Sequence, residues 1–120
     1  MTYIKPKSVA ESQKLRMQGI PYIVDQSVYV ASIAENPNIL KVGCSMYPDD
    51  RMKQLSNYYG LTFKLEMTLD HALESVIHSQ LSDFLYQGHV SDKRKTGREF
   101  FECTLDDVIE AYEYIYGHLL

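Results

Sequence analysis

Val28-Tyr29-Val30-Ala31-Ser32, followed after a short connection through Asn36-Pro37-Asn38 by Ile39-Leu40-Lys41-Val42-Gly43-Cys44, is the stretch on which the fold turns. The first run is apolar and β-branched, Asn-Pro-Asn is turn chemistry, and the second run returns with a glycine where the chain must leave the strand. The pair predicts a β-hairpin. A helix follows: Pro48 suits a first-turn position, Asp49 and Asp50 complement the N-terminal dipole, and Arg51, Met52, Leu55 and Tyr59 recur at helical spacing. A hairpin carrying one tyrosine and one lysine thus feeds a helix whose first turn carries an arginine, and Tyr29, Lys41 and Arg51 are expected to converge.

Alternation within β-structure places Val28 and Val30 on one face and Tyr29 on the other. With ten tyrosines in the chain, a residue packed under a helix is the plain structural reading of Tyr29, and a phenol held beside a reacting group is the functional one. Lys41 is the only charged residue from Ile39 to Cys44, out of character for a buried strand. Either its tip reaches a polar cleft or it snorkels to solvent at a strand end.

Thr62 to Thr68 alternates, with Phe63, Leu65 and Met67 facing one way and Lys64 and Glu66 the other, and reads as a third antiparallel strand. Asp70 is the expected N-cap of a helix running to about Gln87, with Leu73, Val76, Ile77, Gln80, Leu81 and Phe84 as its packed stripe. Glu74 and His78 stand one turn apart at the border of that stripe. Gly88 to Gly97 is a polar, basic loop, Arg98 to Cys103 reads as a last short strand, and Thr104 with Asp107 predicts a capping box opening a final amphipathic helix. The fold class expected is α/β (α+β): a small three-stranded antiparallel sheet with an extra short strand, flanked by helices. Residues 1–20 form an N-terminal helix or arm, with a helix over 7–18 ended by Gly19 and Pro21, and residues 21–120 form the domain.

At 120 residues the chain is the size of one domain with a single core. A net charge of −4 argues against a protein that coats nucleic acid by phosphate neutralisation. The distribution is uneven: no Lys or Arg follows Arg98, while Asp106, Asp107, Glu110 and Glu113 crowd the last helix. Lys53, Lys93, Arg94, Lys95 and Arg98 are the candidate phosphate contacts of a basic flank, with a solvated loop as the competing reading of 93–95. Cys44 and Cys103 lack metal-ligand spacing and are expected to be reduced, small, buried side chains. No segment has the length of a membrane-spanning helix and the N-terminus is too polar for a signal peptide, so a cytoplasmic location is expected.

The ordered set Ser27-Val28-Tyr29, Lys41-Val42-Gly43, Arg51, Glu74, His78 and Gly97-Arg98-Glu99-Phe100-Phe101-Glu102 resembles the GIY-YIG nuclease superfamily over roughly residues 27–115. Lys41 in place of the second motif tyrosine is similar to its phage-type branch. The resemblance implies a GIY-YIG-like fold and a divalent-metal-dependent endonuclease acting on DNA, related to phage or mobile elements. On that basis Glu74 holds Mg²⁺ or Mn²⁺ with Glu99 as a second carboxylate, and Arg51 holds the scissile phosphate. Tyr29 assists the attacking water, Lys41 lowers the Tyr29 pKa or acts as a base, His78 positions a water, and Gly43 is the structural motif glycine. The alternative is a module of the same fold that binds DNA or a protein without cleaving. A protein partner is also a source of specificity for a nuclease with so little chain outside its core.

Overall fold

The hairpin forms as its sequence predicts, in a computed structural model that describes residues 4, 6–22, 26–90 and 98–117. Strands β1 (Ser27–Ile33) and β2 (Ile39–Ser45) pair antiparallel with Tyr29 opposite Gly43 and Ala31 opposite Lys41. The turn closes through Asn36, whose N–H donates to the Ile33 carbonyl at 3.1 Å while its own carbonyl accepts from the Ile39 N–H at 3.2 Å. Strand β3 (Phe63–Leu69) adds to the free edge of β1, and the short β4 (Phe100–Glu102) adds to β2. The result is a four-stranded antiparallel sheet of order β3-β1-β2-β4, the expected three strands with their short fourth.

Four α-helices complete the described residues: α1 (Val9–Met17), α2 (Pro48–Tyr59), α3 (Glu74–Gln80) and α4 (Leu105–Tyr116). Helix α2 starts with Pro48, has Asp49 and Asp50 in its first turn, and stops at Gly60, which takes φ 70° and donates its N–H to the Ser56 carbonyl. Left-handed backbone is cheap only for glycine, so the stop is written into the residue. The capping box of α4 forms with both of its bonds, Asp107 N–H to Thr104 Oγ1 and Thr104 N–H to Asp107 Oδ2.

The sheet separates two cores. On one face Val28, Val30, Leu40, Val42 and Phe101 pack against Ile77 of α3 and Val108 and Ala111 of α4. On the other, Tyr29, Ala31, Ile33, Ile39 and Phe100 pack against Met52, Leu55 and Tyr59 of α2. Strand alternation thus delivers Tyr29 and Lys41 to the α2 face, beneath the helix that carries Arg51.

Two expectations are corrected. Strand β3 does not alternate evenly: its pairing with β1 slips between Val30 and Ala31, skipping Glu66. Phe63 and Leu65 therefore join the α2 core while Met67 and Leu69 join the other, and a bulge of this kind exchanges the faces of everything beyond it. Glu66 accepts a hydrogen bond from the Ser32 hydroxyl at 2.8 Å.

The helix expected from Asp70 to Gln87 is α3, with only seven residues. His71 takes φ 58° and Leu73 is extended, so the helix cannot open before Glu74. After a 3-10 turn over Ser82–Phe84 the chain turns away to bridge Leu85 with Phe101, and Tyr86 donates its N–H to the Phe100 carbonyl. Pairing with β4 takes the backbone out of the helix, and Leu73 and Phe84, assigned to the packed stripe, are exposed.

Helix α1 buries only Ser12 and Leu15; Val9 and Met17 face solvent. Its Val9 N–H donates to Asp50 Oδ2 at 2.8 Å, which ties the N-terminal segment to the first turn of α2. Beyond α1, Tyr22 forms an isolated parallel bridge with Ile4.

Candidate functional site

Tyr29 and Lys41 are 2% and 3% exposed. A Cβ on Gly43 would stand 2.5 Å from the Tyr29 hydroxyl oxygen and 2.6 Å from its Cζ, so the phenol crosses β2 at the one residue without a side chain. Lys41 does not snorkel. Its Nζ forms an ion pair with Glu99, which stands just ahead of β4, and lies 5.7 Å from the ring centroid of Tyr29 and 5.5 Å from that of Phe100. Those rings and one carboxylate make the surroundings of a buried ammonium tolerable.

Arg51 enters from the first turn of α2. Its Nε is buried and has no hydrogen-bond acceptor among the described residues, an uncommon state for a buried donor. Together Tyr29, Lys41, Arg51, Gln54, Tyr58 and Glu99 line a cleft of about 420 Å³, with Cys44 in its wall.

Helix α3 reaches the same place from the opposite face of the sheet, at the edge where β4 begins. The Val42 N–H donates to the Glu99 carbonyl at 2.9 Å. The Val42 carbonyl meets His78 Nε2 at 2.7 Å. A carbonyl only accepts, so Nε2 is the protonated ring nitrogen. The same Nε2 is 3.6 Å from Glu74 Oε1, one turn earlier on α3. The ring also packs on Phe101, with centroids 5.3 Å apart. The Val42–His78 bond anchors α3 to β2 and sets Glu74 close enough to Glu99 for each carboxyl to act on the ionisation of the other. A second hollow of about 440 Å³, lined by Glu74, His78 and Gln26, meets the first at Cys44.

The charges are unequal in consequence. Burial, and then the hydrogen bond and charge of Glu99, push the Glu74 carboxyl up to about 7. Burial also acts against ionisation of Glu99, but the Lys41 bond and charge outweigh it and hold that carboxyl below the usual range. One carboxylate is ionised and one keeps a proton into the neutral range. The Tyr29 phenol is pushed well up by burial and by Glu99, with Arg51 opposing. This corrects the expectation that Lys41 lowers the Tyr29 pKa: the lysine charge is taken up by Glu99, and the Tyr29 hydroxyl keeps its proton at neutral pH.

Among the described residues no three or more His, Cys, Asp or Glu side chains group so as to hold a metal. The carboxylate pair Glu74 and Glu99 nonetheless fits a hard divalent cation. Two neighbouring carboxyls offer oxygen donors only, and Mg²⁺ keeps most of its shell as water or phosphate oxygen. A cation there would replace the proton that Glu74 retains. Chemically, the arrangement offers cation donors at one end of the cleft and an unsatisfied guanidinium donor and a protonated phenol at the other.

The fold therefore gathers Tyr29, Lys41, Arg51, Glu74, His78 and Glu99 around Gly43, from four elements and the turn before β4. It does not bring Lys53 or Arg98 into the cleft; both are exposed. Lys93, Arg94 and Lys95 lie outside the described residues. Sequence reasoning missed Gln54, Tyr58 and the place of Cys44. The first two were legible in principle, since 51, 54 and 58 fall on one stripe of an α-helix.

The fold and site define a small α/β domain with a polar cleft at a sheet edge. A model of the T5orf172 domain matches residues 26–115. The chain belongs to the T5orf172 family. This corrects the resemblance drawn from the sequence: T5orf172 is a family distinct from the GIY-YIG nucleases, with a related, nuclease-like fold. Short matches on a hairpin and the following helix are what related folds share, and they do not separate one family from the other. No curated protein and no solved structure matches the chain. Among the described residues no helix is long and apolar enough to cross a membrane.

Proposed function

We propose that the protein is a divalent-metal-dependent endonuclease that hydrolyses phosphodiester bonds of DNA. The observation that carries this reading is a cleft that holds both Glu99 and the orphaned Arg51 Nε and that meets, at Cys44, the hollow lined by Glu74 and His78. A site that binds a cation beside a donor lacking an acceptor suits a phosphate bridging the two.

Glu74 and Glu99 would hold Mg²⁺ or Mn²⁺. When bound, such an ion supplies positive charge that polarises a phosphoryl oxygen. The chain does the rest. Arg51 donates to the non-bridging oxygens and stabilises the charge that grows there as water adds to phosphorus and the bond to the 3′ oxygen breaks. Tyr29 holds its proton on Oη and offers it as a hydrogen bond to the phosphate or to the departing oxygen. Lys41 keeps Glu99 ionised and lies against the Tyr29 ring, which positions both. His78 acts through the Val42 carbonyl, fixing α3 so that Glu74 meets Glu99.

A second reading, a binding module without cleavage, is favoured by one observation: Lys41 is closed onto Glu99, neutralising a cation donor within the protein. A plasmid-nicking assay with Mg²⁺, Mn²⁺ or EDTA, on the wild type beside Glu74→Ala and Arg51→Ala, separates the two. Metal-dependent nicking abolished by both substitutions supports the nuclease. Absence of nicking by pure protein with any metal, while a salt-dependent mobility shift persists, supports the module.

A further inference from the structure

We infer that the cleft carries a nucleobase subsite, in which the exposed ring of Tyr58 stacks on an unpaired base next to the phosphate held by Arg51, and that the substrate is single-stranded or locally unstacked. This rests on the nucleic-acid reading above and narrows its substrate class.

Tyr58 lies on the same stripe of α2 as Arg51 and Gln54, one turn beyond Gln54, and all three line the same cleft. It is 53% exposed, an unusual position for a large aromatic ring beside a buried polar site. The ring does not swing freely. It meets Tyr59 edge to face, with centroids 4.9 Å apart and planes at 79°. Tyr59 is in turn wedged against Phe100 at 5.3 Å and Phe63 at 5.6 Å. A chain of ring contacts running into the core thus fixes the orientation of an exposed aromatic surface, so little side-chain freedom remains to be lost when a flat ligand lies on it. Gln54, one turn back, carries an amide that both donates and accepts, the chemistry of a base edge or a sugar hydroxyl.

The depth of the cleft argues for an unpaired strand. Tyr29 and Lys41 are almost wholly buried, and the phosphate must descend to them. Bases of an intact duplex are stacked and paired, and freeing one is costly. A base already unpaired can lie on Tyr58 as its phosphate enters, and aromatic stacking is tolerant of sequence because every base has a π-face.

The test is fluorescence anisotropy in EDTA, which needs no cleavage. The probes are a short fluorescein-labelled oligothymidylate, a strand of equal length made of abasic residues, and a blunt duplex. Wild type should bind the thymidylate about tenfold more tightly than the abasic strand, and more tightly than the duplex. Tyr58→Leu should lose that preference and bind thymidylate and abasic strands alike, while Tyr58→Phe keeps it; melting curves check that each variant is folded. A preference for bases that survives Tyr58→Leu, equal wild-type affinity for thymidylate and abasic strands, or tighter binding of duplex would overturn the subsite. Cleavage is scored separately, on a single-stranded oligonucleotide as well as on plasmid, with Mg²⁺ or Mn²⁺. Tyr58-dependent binding without cleavage leaves the subsite standing and removes the nuclease, and cleavage with Tyr58-independent binding does the reverse.

Discussion

The Tyr29 hydroxyl stands 2.5 Å from where a Cβ of Gly43 would be, across the β1–β2 ladder. This contact is what lets a residue in the middle of a strand present its phenol to the cleft. Gly43→Ala forces that ring aside, because the neighbour in the way is a rigid aromatic held under α2. We expect a loss of about 1–3 kcal/mol in stability from overpacking, together with loss of metal-dependent nicking. Urea titration and the nicking assay read the two effects, and a fully active Gly43→Ala would show that the placement of Tyr29 is immaterial.

Lys41 and Glu99 should respond unequally to truncation. Lys41 is buried within β2, paired on both sides, whereas the Glu99 side chain is 43% exposed. Glu99→Ala strands a buried ammonium and is expected to cost about 3 kcal/mol. Lys41→Met leaves a carboxylate that water can reach and should cost about 1 kcal/mol or less. Denaturant midpoints of the two variants and of their combination measure this, and equal losses would argue that the ion pair is solvated.

His78 acts as a positioning residue because its Nε2 proton is committed to the Val42 carbonyl. His78→Ala should lower nicking by misplacing Glu74 and destabilise the protein by about 1 kcal/mol through the unpaired carbonyl. The shape of the pH–rate profile should stay that of wild type. Loss of one limb of that profile would instead make His78 a proton carrier.

The raised Glu74 carboxyl predicts a pH dependence with a definite sign. Its pKa in the fold, about 7, lies above the ordinary glutamate value of 4.5, so between these limits the native protein binds the extra proton. In EDTA its contribution to stability is present below the unfolded pKa and declines as pH rises towards 7. Glu74→Gln should flatten that decline. Mn²⁺ competes with the same proton, so its affinity should rise over the same window and level off above it. Calorimetric titrations at several pH values check this, and an affinity independent of pH would place the metal elsewhere.

What could be read from the chain alone was local. The Asn36-Pro37-Asn38 turn, Pro48 and Gly60 at the ends of α2, and the Thr104–Asp107 box each depend on groups within a few residues, and all of them form. The face on which Tyr29 and Lys41 emerge followed from strand period, and Arg51 from helix period. Periodicity failed in β3 because the slip at Glu66 is a property of its pairing with β1. It failed in α3 because Leu85 and Tyr86 are drawn to β4.

Tertiary structure alone decided the chemistry of the site. Lys41 meets Glu99 across 58 residues of sequence, and His78 meets Val42 across 36. Neither partner is selected by local propensity; each is set by sheet register and by where β4 begins. The protonation of Tyr29 and the raised Glu74 carboxyl follow from burial and neighbouring charge, quantities that exist only once distant segments have packed. The sequence by itself determined which residues had the right chemistry, and folding determined which of them share a cleft.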